Sequence, residues 1–234
     1  MVESRKNEDA RFLAAYTLRE AAHYLRLPRT TLRFWAVGWT YPTLRGTKTA
    51  HPIIELPELH PPTLSFINLV EAHVLAAITR KYDIPLQKVR AAVRFLKKET
   101  GSRYPLATEV METDAKDLFI RKSGLLINVT QEGQTAIRQV LEVYLSRIEH
   151  ADDGFATRLY PFTHASDLEG PLAVMIDPRF SFGRPVLAGT NIPTAIIAER
   201  YKAGDSIQGL AGDYRREAEE IEEAIRCELE LPAA

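Results

Sequence analysis

The sequence predicts a mainly α protein with a winged helix-turn-helix N-terminal domain, a small β-hairpin plus a long helix in the middle, and a compact, helix-turn-helix-like C-terminal domain. Three observations predict it. Apolar residues recur every three or four positions through most of the chain, interrupted by short clusters of turn formers, which is the pattern of amphipathic helices. With 234 residues, 45% of them hydrophobic, the chain is long enough for two modules that each bury a core. Charge is segregated: residues 1–105 carry 17 Lys+Arg against 9 Asp+Glu, a net of +8, whereas residues 106–170 carry 6 against 11 and residues 171–234 carry 7 against 11. A basic front half suits a polyanion and an acidic remainder does not, although the whole chain sums to only −1.

Thr17 and Glu20 have capping-box spacing, which starts a helix with Leu18, Ala21, Ala22 and Leu25 on one face. Arg26-Leu27-Pro28 breaks it, and a second short helix follows with Leu32 and Trp35 inward. Two short helices joined by a tight turn, with a small residue at 21 or 22 allowing close approach, make a helix-turn-helix. Residues 38–56 alternate β-branched and turn residues as a hairpin wing would, with Arg45-Gly46-Thr47-Lys48 at its tip. Ser65 caps a helix to about Tyr82, with Phe66, Leu69, Val70, Val74 and Ile78 inward. Pro85 opens another that runs to Gly101, with Leu86, Val89, Val93 and Leu96 on one side and Lys88, Arg94, Lys97 and Lys98 around the others.

In the middle segment, 106–150, residues 117–130 read as two strands about a Lys-Ser-Gly turn. Gly133 to His150 reads as an amphipathic helix whose stripe of Ile137, Val140, Leu141, Tyr144, Leu145 and Ile148 serves either the core or a dimer contact. Residues 151–171 lack periodicity and read as a linker. The C-terminal domain, 172–234, opens with the strand LAVMI and a turn-rich loop, residues 180–192, after which Pro193 takes the first position of a helix that ends at Gly204. Ser206 begins a short helix to about Gly212, and a last helix turns Ile221, Ala224, Ile225 and Leu229 inward, leaving the glutamates between 217 and 223 on a solvated face.

The loop FSFGRPVLAGTNIPT, residues 180–194, invites a phosphate-loop reading that its spacing excludes. In GxxxxGK[ST] the second glycine would fall at position 188, which is Ala188; lysine is absent, and Pro185 removes a backbone donor. The dinucleotide fingerprint GxGxxG is absent as well. No two of the six histidines lie at helical ligand spacing, HExxH is missing, and the single Cys227 has no partner for zinc or a disulfide. Neither a catalytic set nor a cofactor or metal site is expected, so the protein is not read as an enzyme. No apolar run can span a bilayer and no secretory leader is visible, which makes the cytoplasm the expected compartment and excludes a membrane partner.

The basic N-terminal module carries its charge where DNA recognition needs it. In the second helix Arg29, Thr30, Thr31 and Arg33 face away from Leu32 and Trp35, and this is the helix that enters the major groove in such motifs. Arginine there can grip guanine or a phosphate, and threonine a phosphate or a thymine methyl. Arg45 and Lys48 on the wing would reach the neighbouring backbone.

The stretch YTLREAAHYLRLPRTTLRFWAVG resembles the MerR-like winged helix-turn-helix, and the resemblance runs through the wing and the helix pair to about residue 100. Residues 176–214, with the pattern I-x-x-P, then G-R-P-x-x-x-G-T-x-I-P, then a helix ending in glycine, resemble a small domain of unknown function; Asn191 stands where that pattern usually has arginine. Together they resemble the VapB-type antitoxins. The resemblance implies a DNA-binding, dimeric antitoxin that binds a PIN-like ribonuclease toxin directly and represses its own operon. In that reading Arg184 is a candidate toxin contact, although an arginine that holds the loop together fits the same position. A MerR-like regulator with an effector- or protein-binding C-terminal domain and no toxin, or a helical scaffold without DNA function, would share these features.

Overall fold

The computed structural model describes residues 9–43, 46–82, 85–112, 115–120, 131–163 and 170–229. Strand β1 (Tyr16–Thr17) runs directly into α1 (Leu18–Tyr24), and the capping box forms as its spacing demands: Thr17 Oγ1 accepts from the Glu20 amide at 3.2 Å, and Glu20 Oε2 accepts from the Thr17 amide at 2.9 Å. A four-residue turn leads to α2 (Arg29–Ala36), where Leu32 and Trp35 are fully buried. The wing is an antiparallel hairpin of β2 (Trp39–Thr43) and β3 (Gly46–Ala50). Gly38 begins it at φ +79°, and a Cβ there would lie 2.3 Å from the Ala50 carbonyl oxygen, so only glycine lets the two ends of the hairpin close.

Beyond the wing, β4 (Glu58–Leu59) and β5 (Pro62–Leu64) join β1 in a three-stranded antiparallel sheet ordered β1-β5-β4, which sequence reading did not anticipate. Helix α3 (Phe66–Tyr82) follows, its start held by Ser65 Oγ, which accepts from the Asn68 amide. It is not the one-faced helix expected. From Phe66 to Ile78 every residue is buried, Asn68, Glu71 and His73 included, because the later helix Gln131–Leu145, the turn at Pro105–Ala107 and strand β5 of the first sheet pack against it. Helix α4 (Leu86–Thr100) starts after Pro85 and ends at Gly101 in the left-handed conformation, as read.

The middle segment differs from expectation. Two 3₁₀ turns, Pro105–Ala107 and Glu109–Glu112, lead to residues 115–120, which are helical (α5) where a strand was expected from 117. Ala115 and Phe119, four apart, are buried, and Lys116 and Asp117 pair with Glu142 and Arg138 of α6 (Gln131–Leu145). Contacts with a neighbouring helix thus override the strand propensity of Leu118-Phe119-Ile120. The rest of the expected hairpin lies outside the described residues. Helix α6 stops at Leu145, not His150: Ile148–His150 is β6, paired with β7 (Ala156–Leu159), a strand inside the expected linker. Leu159 and Phe162 are buried, and Leu159 bridges to Ile176, so this part of the segment is built into the fold.

The C-terminal region opens with β8 (Val174–Met175), paired with β9 (Val186–Leu187), followed by α7 (Thr194–Lys202), α8 (Ile207–Tyr214) and α9 (Ala218–Glu228). Pro193 takes the N-cap of α7, one position earlier than expected, and Ser206 caps α8 by accepting from the Gly209 amide. A second apolar cluster of Leu187, Ile197, Leu210, Ile221, Ala224 and Ile225 lies under these helices, separate from the larger one that extends from Tyr16 to Ile176. Two expectations for α9 are corrected. Leu229 lies past its end and is exposed, and Glu223 is buried, accepting from Thr163 and pairing with Arg226. Cys227 is also buried, which pushes its thiol up to about 12 and leaves it unreactive.

Candidate nucleic-acid interface

Three anchors hold α2 in place. Leu32 and Trp35 fix its inner side, the Trp35 carbonyl accepts from the amides of Ile53 (2.7 Å) and Ile54 (3.0 Å) where the chain returns from the wing, and the turn before α2 is buttressed from a distance. In that turn Arg26 has φ +54° and is buried, and its guanidinium donates to the Arg226 carbonyl and to the Leu229 carbonyl at 2.8 Å. An arginine of the helix-turn-helix therefore caps the last carbonyls of α9.

With the helix so fixed, Arg29, Thr30 and Arg33 are exposed on its outer face and Thr31 is half-buried. Lys48 is exposed on β3 opposite Tyr41, two residues back from the strand's start, and Arg45 lies outside the described residues. Sequence reading missed an aromatic run that joins the two elements. Phe34, exposed on α2, has its ring 4.9 Å from Trp39, Trp39 is 6.1 Å from Tyr41 along the wing, and the Arg90 guanidinium of α4 lies over Trp39 at 5.9 Å. The signal was there: Trp39 and Tyr41 are two apart on a strand and so share a face.

The loop at 180–194 lies against this module. Ser181, Phe182 and Gly183 have φ of +48°, +55° and +76°, a run of three left-handed residues closed by Gly183 N–H to the Phe180 carbonyl and Arg184 N–H to the Ser181 carbonyl. The Tyr16 hydroxyl donates to the Gly183 carbonyl at 2.9 Å, and a Cβ at 183 would sit 2.4 Å from that hydroxyl oxygen. Arg184 reaches Glu20 of the capping box at 2.6 Å. Burial lowers the Arg184 pKa, but Glu20 and Tyr24 outweigh it and raise the value overall. Phe182 is left 95% exposed at the crest. The base of the turn is equally fixed: Asp177 is buried, and although burial alone would raise its pKa, bonds from Arg179 (2.6 Å) and Arg158 (3.1 Å) hold it below the usual carboxylate range. Thr190 closes the other end, donating to the Leu187 carbonyl and accepting from the Ile192 amide. Among the described residues no group of three or more His, Cys, Asp or Glu is placed to hold a metal ion, and no helix is long and apolar enough to cross a membrane.

Residues 14–93 match the family model described as "Putative DNA-binding HTH domain", and residues 174–226 match one described as "Protein of unknown function". A solved structure, the X-ray crystal structure of Rv2018 from Mycobacterium tuberculosis, superposes with a TM-score of 0.68 at 28% identity, covering 92% of this chain and 98% of that one. A second protein of that organism, described as "Uncharacterized protein Rv2308", is 25% identical, covering 90% of this chain and 88% of its own length. The M. tuberculosis (strain ATCC 25618 / H37Rv) protein described as "Putative antitoxin VapB45" is 32% identical over 230 residues, covering 90% of this chain and 92% of its own length. With a DNA-binding helix-turn-helix at one end, the second family domain at the other, and a relative matched along nearly its whole length, the chain belongs to the VapB45 antitoxin family.

Proposed function

We propose that this chain is the cytoplasmic antitoxin of a type II toxin-antitoxin pair, which neutralises a PIN-like ribonuclease by direct contact and, as a homodimer, represses its own operon. The observation that carries the DNA half is the outer face of α2, where Arg29, Thr30 and Arg33 are exposed on a helix fixed by Leu32, Trp35 and the Ile53 and Ile54 amides. Arginines on such a rigid helix can meet guanine edges or phosphates without a large ordering cost, and Lys48 on the wing adds a backbone contact. Two copies with half-sites about one helical turn apart would read a two-fold operator.

The toxin half rests on the turn at 180–184. Arg184 is engaged with Glu20 and so secures the turn against α1, while Phe182 projects beside it. A large aromatic held out by a rigid backbone is the kind of residue that anchors protein–protein contacts. Co-expression of the full chain with the product of the adjacent gene tests this half. Wild type is expected to co-purify with that product and suppress its ribonuclease activity, and Phe182→Ala to weaken the complex by about 2 kcal/mol or more. Absence of any complex with the wild-type chain would remove the antitoxin reading.

A further inference from the structure

Between the return from the wing and the middle of α4 lies a cleft of about 300 Å³, with Ile53 and Val93 as its apolar walls and His51, Arg90, Arg94 and Lys97 around them. Glu55, also on its lining, is already engaged by Lys97 at 2.6 Å and by Arg103 at 2.9 Å. Arg90 and Arg94 are different. Neither pairs with a carboxylate among the described residues, and the Arg90 nitrogens Nε and Nη2 are shielded from solvent without a hydrogen-bond partner there. Burial lowers the Arg90 pKa, and the neighbouring Arg94 charge lowers it further. Two adjacent arginines, one partly desolvated, repel each other and leave strong donors unused, a cost that an anion in the cleft would relieve.

The form of that anion follows from the donors. Guanidinium groups match tetrahedral oxyanions bidentately, and the Arg90 guanidinium lies over the Trp39 ring at 5.9 Å. Position supplies the source: Trp39 links Arg90 to Phe34, and Phe34 follows Arg33 on the outer face of α2, so the cleft continues the surface assigned above to DNA.

We propose that Arg90 and Arg94 form a phosphate-binding site on α4, and that the phosphate it takes is one of the DNA backbone beside the wing. The DNA part rests on the proposed operator binding; the phosphate site itself does not. Two measurements on the full chain keep them apart. In equilibrium titration of a duplex carrying the promoter region of this chain's own gene, Arg90→Gln and Arg94→Gln should each lower affinity severalfold, independent of base sequence. Each should also reduce the slope of log K against log salt by about one. In thermal melts without DNA, inorganic phosphate should raise the Tm of wild type more than that of either variant, at constant ionic strength. A phosphate-dependent Tm with unchanged DNA binding would assign the site to a free phosphorylated compound and overturn the backbone assignment. Loss of DNA binding in Arg33→Ala but no effect of either α4 variant, in DNA titration or with phosphate, would overturn the site while leaving the operator reading intact. If wild type binds no promoter DNA, the melts alone decide the site, and a phosphate response equal in all three proteins rejects it. Arg94 is exposed, so its variant guards against misfolding of the Arg90 variant.

Discussion

Glu71 shows how far a single side chain can depart from its sequence environment. It sits on the central helix, 1% exposed, accepting from Asn68 Nδ2 at 3.1 Å. Burial pushes its carboxyl up to about 8, only partly countered by the Asn68 bond and the charge of Lys97. Because the folded value is above the unfolded one, the folded chain holds a proton that the unfolded chain releases, and stability falls as pH rises from about 4.5 toward about 8. Glu71→Gln should therefore remove much of that slope, stabilising the protein at pH 8 and making little difference near pH 4.5, as read by urea denaturation across the range; a wild-type stability flat over that window would refute the assignment. The sequence offered no sign of this, since a lone glutamate on an apolar helix looks like a surface residue. Gly183 was better marked. A glycine after Ser-Phe suggested a turn, but the Tyr16 hydroxyl that forbids a side chain there comes from 167 positions away.

At the level of elements, what could be read was what local chemistry decides. The cap at Thr17, the stop at Gly101, the start after Pro85 and the cap at Ser206 all depend on residues within one turn of the helix end, and each lies where its spacing puts it. Thr17→Ala should accordingly cost about 1 kcal/mol, seen as a lower urea midpoint with an unchanged m-value; no change in midpoint would mean that Glu20 and its bond to Arg184 hold α1 alone. What could not be read was decided by distant partners. Leu118-Phe119-Ile120 is strand-prone by itself and becomes helical because Ala115 and Phe119 are buried and Lys116 and Asp117 meet α6. The end of α6 at Leu145 likewise depends on β7 being available to pair with Ile148–His150. The outward placement of Arg29, Thr30 and Arg33 on α2 was legible in the sequence, whereas the aromatic run through Phe34, Trp39 and Tyr41 and its extension to Arg90 needed the fold.

For the whole molecule, the main feature is that the two family domains interlock. Arg26 in the helix-turn-helix turn caps α9, Tyr16 and Glu20 at the start of α1 hold the 180–184 turn, and Thr163 donates to buried Glu223. The exposed Phe182 is thus mounted on a turn held by Tyr16 and Glu20 at the start of α1. Such an arrangement leaves the outer face of α2 and the Phe182 ring exposed at the same time. Titration of the promoter duplex with wild type, Arg29→Ala and Arg33→Ala over a range of salt tests the proposed DNA recognition by α2 most directly. Wild type is expected to bind tightly and in a salt-dependent way, with a loss of about 1–3 kcal/mol in each variant that forfeits a base contact. Equal affinity and equal salt slope in all three proteins would contradict it.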